Sequence, residues 1–164
     1  MGNQPTPSAK AAGPEINELA DRLRLEDGAG FLVRLLHSRA TATYEQLTGQ
    51  SAITPQQFGV LLTLRQRGAL TLTELSAAVH LDRSTLGEMT KRMVERGLLK
   101  RRENETDRRS SLVSLSANGE AALRNLLAGA AALQDALLAP IPKAERRRFM
   151  HHLKRIAMAG DGMD

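Results

Sequence analysis

The residues of this chain best equipped for chemistry are cations, and they are crowded. Arg83, Lys91, Arg92, Arg96, Lys100, Arg101, Arg102, Arg108 and Arg109 fall within 27 positions, nine of the 23 Lys and Arg residues in 164. Glu88, Glu95, Glu103, Glu105 and Asp107 leave that stretch at +4, most of the formal net charge of +5. Fixed cations at this density suit phosphate oxygens, so the implied partner is a polyanion such as nucleic acid, or an acidic membrane surface. For a charge run taken alone, the alternative is a solvated, charge-mixed face.

A second constellation is polar and periodic. At ~100° per residue, Arg34, His37, Ser38, Thr41 and Tyr44 share one arc of a helix. Arg34 could pair with a carboxylate or phosphate, and His37 and Tyr44 could hydrogen-bond a phenol or carbonyl. Phe58, Leu61 and Leu62 on the next helix could supply an apolar wall. The same arc is equally the solvated face of an amphipathic helix.

Other chemistries lack their residues. There is no cysteine, so disulfides, zinc thiolates and thiol redox switches are impossible, which fits a reducing cytoplasm. The four histidines, His37, His80, His151 and His152, make no metal-ligand spacing, because adjacent helical residues point ~100° apart. His80 reads as a packing residue in a turn. No Gly-rich phosphate loop, nucleophile elbow or metal triad is present, so neither an enzyme nor a cofactor is expected. No apolar run approaches ~20 residues, and the N-terminus lacks a secretion signal, so the expected location is the cytoplasm.

The elements that must position these groups can be read from period and punctuation. Residues 1–14 are rich in Pro, Gly, Ser and Ala and read as a disordered arm. Ile16, Leu19, Ala20 and Leu23 form one helical stripe over 15–25, and a longer helix follows over 30–48. Thr54-Pro55-Gln56-Gln57 starts a third helix that stops at Gly68, and Thr71-Leu72-Thr73-Glu74 is a capping box for a short fourth. Asp82 caps a fifth, running to Arg96 and closed by Gly97. Its exposed side would carry Arg83, Ser84, Thr85, Lys91 and Arg92, and its buried side Leu86, Met89, Met93 and Val94. The period then changes to strand-like segments at 98–102 and 112–115 around a charged loop, a β-hairpin. Ser116 caps a long Ala/Leu-rich helix to about Leu138, Pro140 and Pro142 break it, and a last helix runs from about Lys143 to Met158. With aromatics at 2%, the core must be aliphatic, which suits helices. The expected fold is mostly α with a small β-hairpin wing, a winged helix-turn-helix.

Two stretches carry a resemblance. Residues 107–119, Asp-Arg-Arg-Ser-Ser-Leu-Val-Ser-Leu-Ser-Ala-Asn-Gly, resemble the wing signature of the MarR family of winged-helix regulators, with Ser116 where Thr is commoner. Residues 92–101, Arg-Met-Val-Glu-Arg-Gly-Leu-Leu-Lys-Arg, are similar to that family's recognition-helix exit. The resemblance implies that Arg109 enters the minor groove at the wing tip, with Asp107 orienting its guanidinium and Arg108 on phosphate. A simple ion pair within the hairpin is the alternative for Asp107 and Arg109. Arg83, Ser84, Thr85, Lys91 and Arg92 would face the major groove and its phosphates.

The resemblance also implies a homodimer built by the terminal helices. Ile16, Leu19 and Leu23 would pack with Phe149, Leu153 and Ile156 across a two-fold axis, and the operator would be a pseudo-palindrome in double-stranded DNA. Residues 15–48 would then serve dimerisation and form a pocket wall, 54–115 would be the DNA-binding domain, and 116–159 would complete the dimer. Residues 31–39 are similar to the corresponding helix of members that control aromatic-acid catabolism. This implies a small aromatic acid or its CoA thioester, bound against the 34–44 arc, as an effector that releases the operator. The alternative is a winged-helix protein of architectural kind, without ligand control.

Overall fold

The computed structural model describes residues 14–159 apart from Gln50, Thr106, Arg108 and Arg109. The expected N-terminal arm lies outside the described residues except for Pro14, which opens the first helix. The elements in order are α1 (Pro14–Arg22), a 3-10 turn (Leu25–Asp27), α2 (Ala29–Leu47), α3 (Pro55–Arg67), β1 (Leu70–Thr71), α4 (Leu72–Val79), α5 (Arg83–Glu95), β2 (Leu99–Glu103), β3 (Ser111–Leu115), α6 (Ala117–Leu138) and α7 (Lys143–Ala157). They divide into two compact units with the boundary between Arg39 and Ala40.

In the first unit, α1 stops earlier than its apolar spacing suggests. Leu25 belongs to the 3-10 turn, closed by the Gly28 N–H on the Leu25 carbonyl at 3.1 Å. Arg24 Nε donates to Glu26 Oε1 at 3.0 Å across that turn. The Arg34 guanidinium sits 5.0 Å from the centre of the Phe31 ring, within cation–π range.

The second unit holds the core. Val60, Leu61, Leu75, Leu86, Met93 and Val113 are essentially sealed from solvent, and Leu64, Leu99, Leu123 and Leu126 join them. No Phe is fully buried, in line with the expected aliphatic core. Tyr44 is the one aromatic among these residues, 2% exposed. The buried stripe of α5 is Leu86, Met89, Thr90 and Met93, and Val94 is half-buried at its edge.

The capping residues act as their types dictate. Thr54 and Thr71 each form a full capping box, with Gln57 and Glu74 respectively. Asp82 accepts from Thr85 N–H at 2.8 Å, and Ser116 Oγ accepts from Gly119 N–H at 2.9 Å. Gly68 and Gly97 take positive φ just beyond helix ends, where a side chain would be strained.

The sheet has three antiparallel strands in the order β1-β3-β2, not two. β2 pairs with β3 from Leu99↔Leu115 to Glu103↔Ser111, and β1 adds Leu70↔Val113 and Thr71↔Leu112 on the other side. Two residues carry too little period to be read as a strand. Thr71 also serves as the α4 cap, and that is the signal that stands out.

Candidate nucleic-acid interface

The turn between α4 and α5 is built from three residues. His80 ends α4 in the left-handed conformation, φ 51°, and its N–H reaches the Ser76 carbonyl. Ser76 Oγ donates to the Leu81 carbonyl, and the Leu81 N–H returns to the Ser76 carbonyl at 3.3 Å. Asp82 then starts α5. This corrects the expected packing role of His80: its side chain is exposed, and its backbone makes the turn. The tight turn fixes α5 on α4, so its polar side is presented outward.

That side carries Arg83, Ser84, Thr85, Lys91 and Arg92, all exposed. The Thr85 hydroxyl and then its N–H hold the Asp82 carboxyl below the usual aspartate value. The helix start is therefore capped by an ionised group at neutral pH, with Arg83 and Ser84 free to face outward.

The hairpin beside α5 is cationic along one strand. Lys100, Arg101 and Arg102 are exposed on β2 after the buried Leu99. Arg101 Nε donates to Ser111 Oγ at 2.7 Å across the pair. The base of the loop is tied by Asn104 Nδ2 to Ser110 Oγ at 2.9 Å and by Ser110 Oγ to the Asp107 carbonyl at 3.0 Å. Ser110 N–H also reaches the Asp107 carbonyl at 2.9 Å. Asp107 is exposed within this tied turn. Arg108 and Arg109 lie outside the described residues, so the expected Asp107–Arg109 pairing does too.

The second constellation is divided between the two units. Arg34, His37 and Ser38 are exposed residues of α2 in the first unit. In the second, Thr41 is half-buried and Tyr44 buried, with its ring 6.2 Å from that of Phe58 at 58°. Tyr44 Oη donates to the Ile53 carbonyl at 3.2 Å, so a ligand meets its lone pairs unless it competes with that carbonyl for the proton. Burial raises the Tyr44 pKa. Phe58 and Leu62 are half-buried, whereas Leu61 is fully buried in the core. Leu62 helps line an open cleft between α3 and α6 with Arg65, Glu120, Leu123, Arg124 and Leu127.

Two features escaped the sequence reading. Arg96 reads from sequence as a charge at a helix end, yet its Nη1 donates to the Ala52 carbonyl at 3.1 Å, 44 residues away. Sequence carries no signal for such a contact. The second could have been counted: α7 bears Lys143, Arg146, Arg147, Arg148, Lys154 and Arg155 against Glu145 alone. The net charge is therefore not concentrated at 83–109, because α7 is at least as cationic. Among the described residues no cluster of His, Asp or Glu could hold a metal, and no helix is long and apolar enough to cross a membrane.

A helix presented from a tight turn, with a cationic three-stranded wing beside it, defines a winged helix-turn-helix DNA-binding protein. The model of the MarR family matches residues 53–111. The chain is 35% identical over 99 residues to the organic hydroperoxide resistance transcriptional regulator of Bacillus subtilis (strain 168), covering 60% of this chain and 67% of that one. The PcaV transcriptional regulator of Streptomyces coelicolor, solved with its natural ligand, superposes with a TM-score of 0.78 at 30% identity over 85% of this chain and 98% of its own. Bordetella bronchiseptica BpsR, studied for regulation of its DNA binding by 6-hydroxynicotinic acid, gives 0.78 at 27% identity over 83% and 97%. The chain belongs to the MarR family of transcriptional regulators.

Proposed function

We propose that this regulator is a homodimeric repressor, acting in the cytoplasm, that leaves a pseudo-palindromic operator when a small aromatic acid, or its CoA thioester, binds. The observation that carries the DNA half is the exposed row Arg83, Ser84, Thr85, Lys91 and Arg92 on a helix anchored by Leu86, Met89 and Met93. Arg109, oriented by Asp107, and Arg108 on phosphate complete the contact from the wing. Narrow minor grooves concentrate negative potential, and an inserted guanidinium is attracted there.

The dimer reading draws on exposed apolar side chains. Ile16 and Leu19 on α1 are 60% and 58% exposed, Leu23 just past its end is 70% exposed, and Ile156 on α7 is 71% exposed. Apolar stripes at helical spacing left to water favour a partner surface, and a second copy of the chain supplies one.

The effector reading draws on the likeness to BpsR and on the residue types Arg34, His37, Ser38, Thr41 and Tyr44, with half-buried Phe58 and Leu62 as apolar residues; Leu61, sealed in the core, drops out of the expected wall. An aromatic carboxylate matches an arginine and hydrogen-bonding groups beside apolar surface. Release follows if the ligand favours a spacing of the two recognition helices that does not fit successive turns of the duplex. A thiol-based response is chemically closed to a chain without cysteine, although one relative is named for organic hydroperoxide resistance.

The test is duplex selection from a random pool, followed by titration of the selected complex with 6-hydroxynicotinic acid, related aromatic acids and their CoA thioesters. A short palindrome released by one of them is the expected result. Uniform, purely salt-governed coverage of any duplex would replace the repressor with an architectural protein. A palindrome indifferent to the whole panel would remove the effector assignment.

A further inference from the structure

The short segment between α2 and α3 is held by hydrogen bonds from both directions. Ile53 is buried, and its carbonyl accepts from Tyr44 Oη at 3.2 Å. One residue earlier, the Ala52 carbonyl accepts from Arg96 Nη1 at 3.1 Å. The Ile53 N–H is tied to Ser51 Oγ at 3.2 Å, and Thr54 is fixed as the cap of α3. Tyr44 and Arg96 therefore hold neighbouring carbonyls of one short strap, Tyr44 from a buried position and Arg96 from an exposed one.

Arg96 is the residue that ends the DNA-facing helix. Its own N–H reaches back to the Arg92 carbonyl, Gly97 follows at φ 69°, and the Leu98 N–H bonds the Met93 carbonyl at 2.9 Å. On its other side this exit is fastened to α6, with Ser116 Oγ donating to the Gly97 carbonyl and Ser116 N–H to that of Leu98 at 3.1 Å. Besides the burial of Met93, Leu98 and Leu99, the end of α5 thus has two polar ties. One is the start of α6, and the other is the 52–53 strap.

We propose that Tyr44 and Arg96 are positioning residues that couple the Tyr44 hydroxyl on α2 to the orientation of α5 through the Ala52 and Ile53 carbonyls. Neither has to touch DNA. A ligand that recruits the Tyr44 hydroxyl as a donor takes it from the Ile53 carbonyl. A buried carbonyl that loses its donor must find another, and a buried unsatisfied group is costly enough to shift the backbone. That shift moves the adjoining Ala52 carbonyl and loosens Arg96, so the exit of α5 loses one of its polar ties and keeps those to α6 and the core. The inference deepens the effector reading by naming the route from that site to the recognition helix.

The test uses the full chain, without ligand or DNA, and reads amide hydrogen exchange. Tyr44→Phe removes one hydrogen bond, so exchange at residues 52–53 and 96–98 should rise roughly 2- to 10-fold. In an Arg96→Gln background the same change should still act at 52–53 and add nothing at 96–98. Arg96→Lys, which keeps the charge without the forked donor, serves as the second background if the glutamine variant unfolds. A rise confined to 52–53, or equal increments at 96–98 in both backgrounds, would overturn the coupling. A wild-type protein indifferent to every aromatic acid would sink the effector reading but leave the exchange result to decide this one.

Discussion

Gly119 stands against Leu98 so closely that a Cβ on Gly119 would overlap the Leu98 carbonyl oxygen. The contact exists because Ser116 binds the Gly97 carbonyl and draws the first turn of α6 onto the exit of α5. The glycine of the wing signature is therefore there for packing, not for a left-handed backbone. Gly119→Ala should destabilise the protein by about 2–4 kcal/mol, read as a lowered urea midpoint at constant slope. An unchanged midpoint would mean that the two segments separate at no cost.

The alkaline limb of stability should belong to Tyr44. It is the only tyrosine, and there is no tryptophan, so tyrosinate absorbance reports it alone. Burial raises its pKa, which means the folded state holds the proton more tightly than the unfolded chain. Its contribution is complete below the unfolded value near 10 and is lost as pH rises through the higher folded pKa. The titration midpoint should lie above that of the denatured protein. Tyr44→Phe should abolish this pH dependence and, by leaving the Ile53 carbonyl short of a donor, cost about 1–3 kcal/mol at neutral pH. Coincident midpoints for native and denatured protein would count against the buried hydroxyl.

The acid limb involves the cap of α5. Hydrogen bonds from Thr85 lower the Asp82 pKa, so its contribution is present above the unfolded aspartate value and is lost as pH falls through the lower folded one. Asp82→Ala should lower the melting temperature at neutral pH and narrow the difference between neutral and acid conditions. If both variant and parent lose the same stability on acidification, the cap is not what titrates.

DNA binding should separate into phosphate contacts and others by its salt dependence. Arg83→Gln or Lys91→Gln, if the residue meets phosphate, should reduce the slope of log affinity against log salt by about 1 while the oligomeric state is unchanged. Dissociation into monomers would instead place these residues in the subunit interface. Arg109→Ala should weaken binding by a few kcal/mol at most, and unchanged affinity at fixed salt would remove it from the wing-tip role.

Helix starts were the most legible part of the sequence. Thr54, Thr71, Asp82 and Ser116 are caps by type and spacing and all cap in the fold, because an N-cap is decided by residues three positions apart. The division of α5 into an exposed cationic side and a buried Leu/Met side was equally plain, since one helical period sets both. The end of α1 was not: the Leu25 side chain continues the apolar trend, while its backbone turns into a 3-10 segment. His80 departs from the expected packing role because it is exposed, and it is its left-handed backbone that makes the turn.

What the sequence determined by itself is local: where helices begin, which of their faces are apolar, where the period becomes that of strands, and that no thiol chemistry is available. These depend on interactions within a few residues, and a chain carries them in its order. Tertiary structure alone decided that Arg96 meets Ala52, that Tyr44 spends its proton on Ile53, that Leu70 and Thr71 join the sheet, and that Leu61 is core. Each of these joins groups brought together only when the helices close on one another. Their partners are chosen by the three-dimensional packing, in which any of several arginines or carbonyls could have been the nearest.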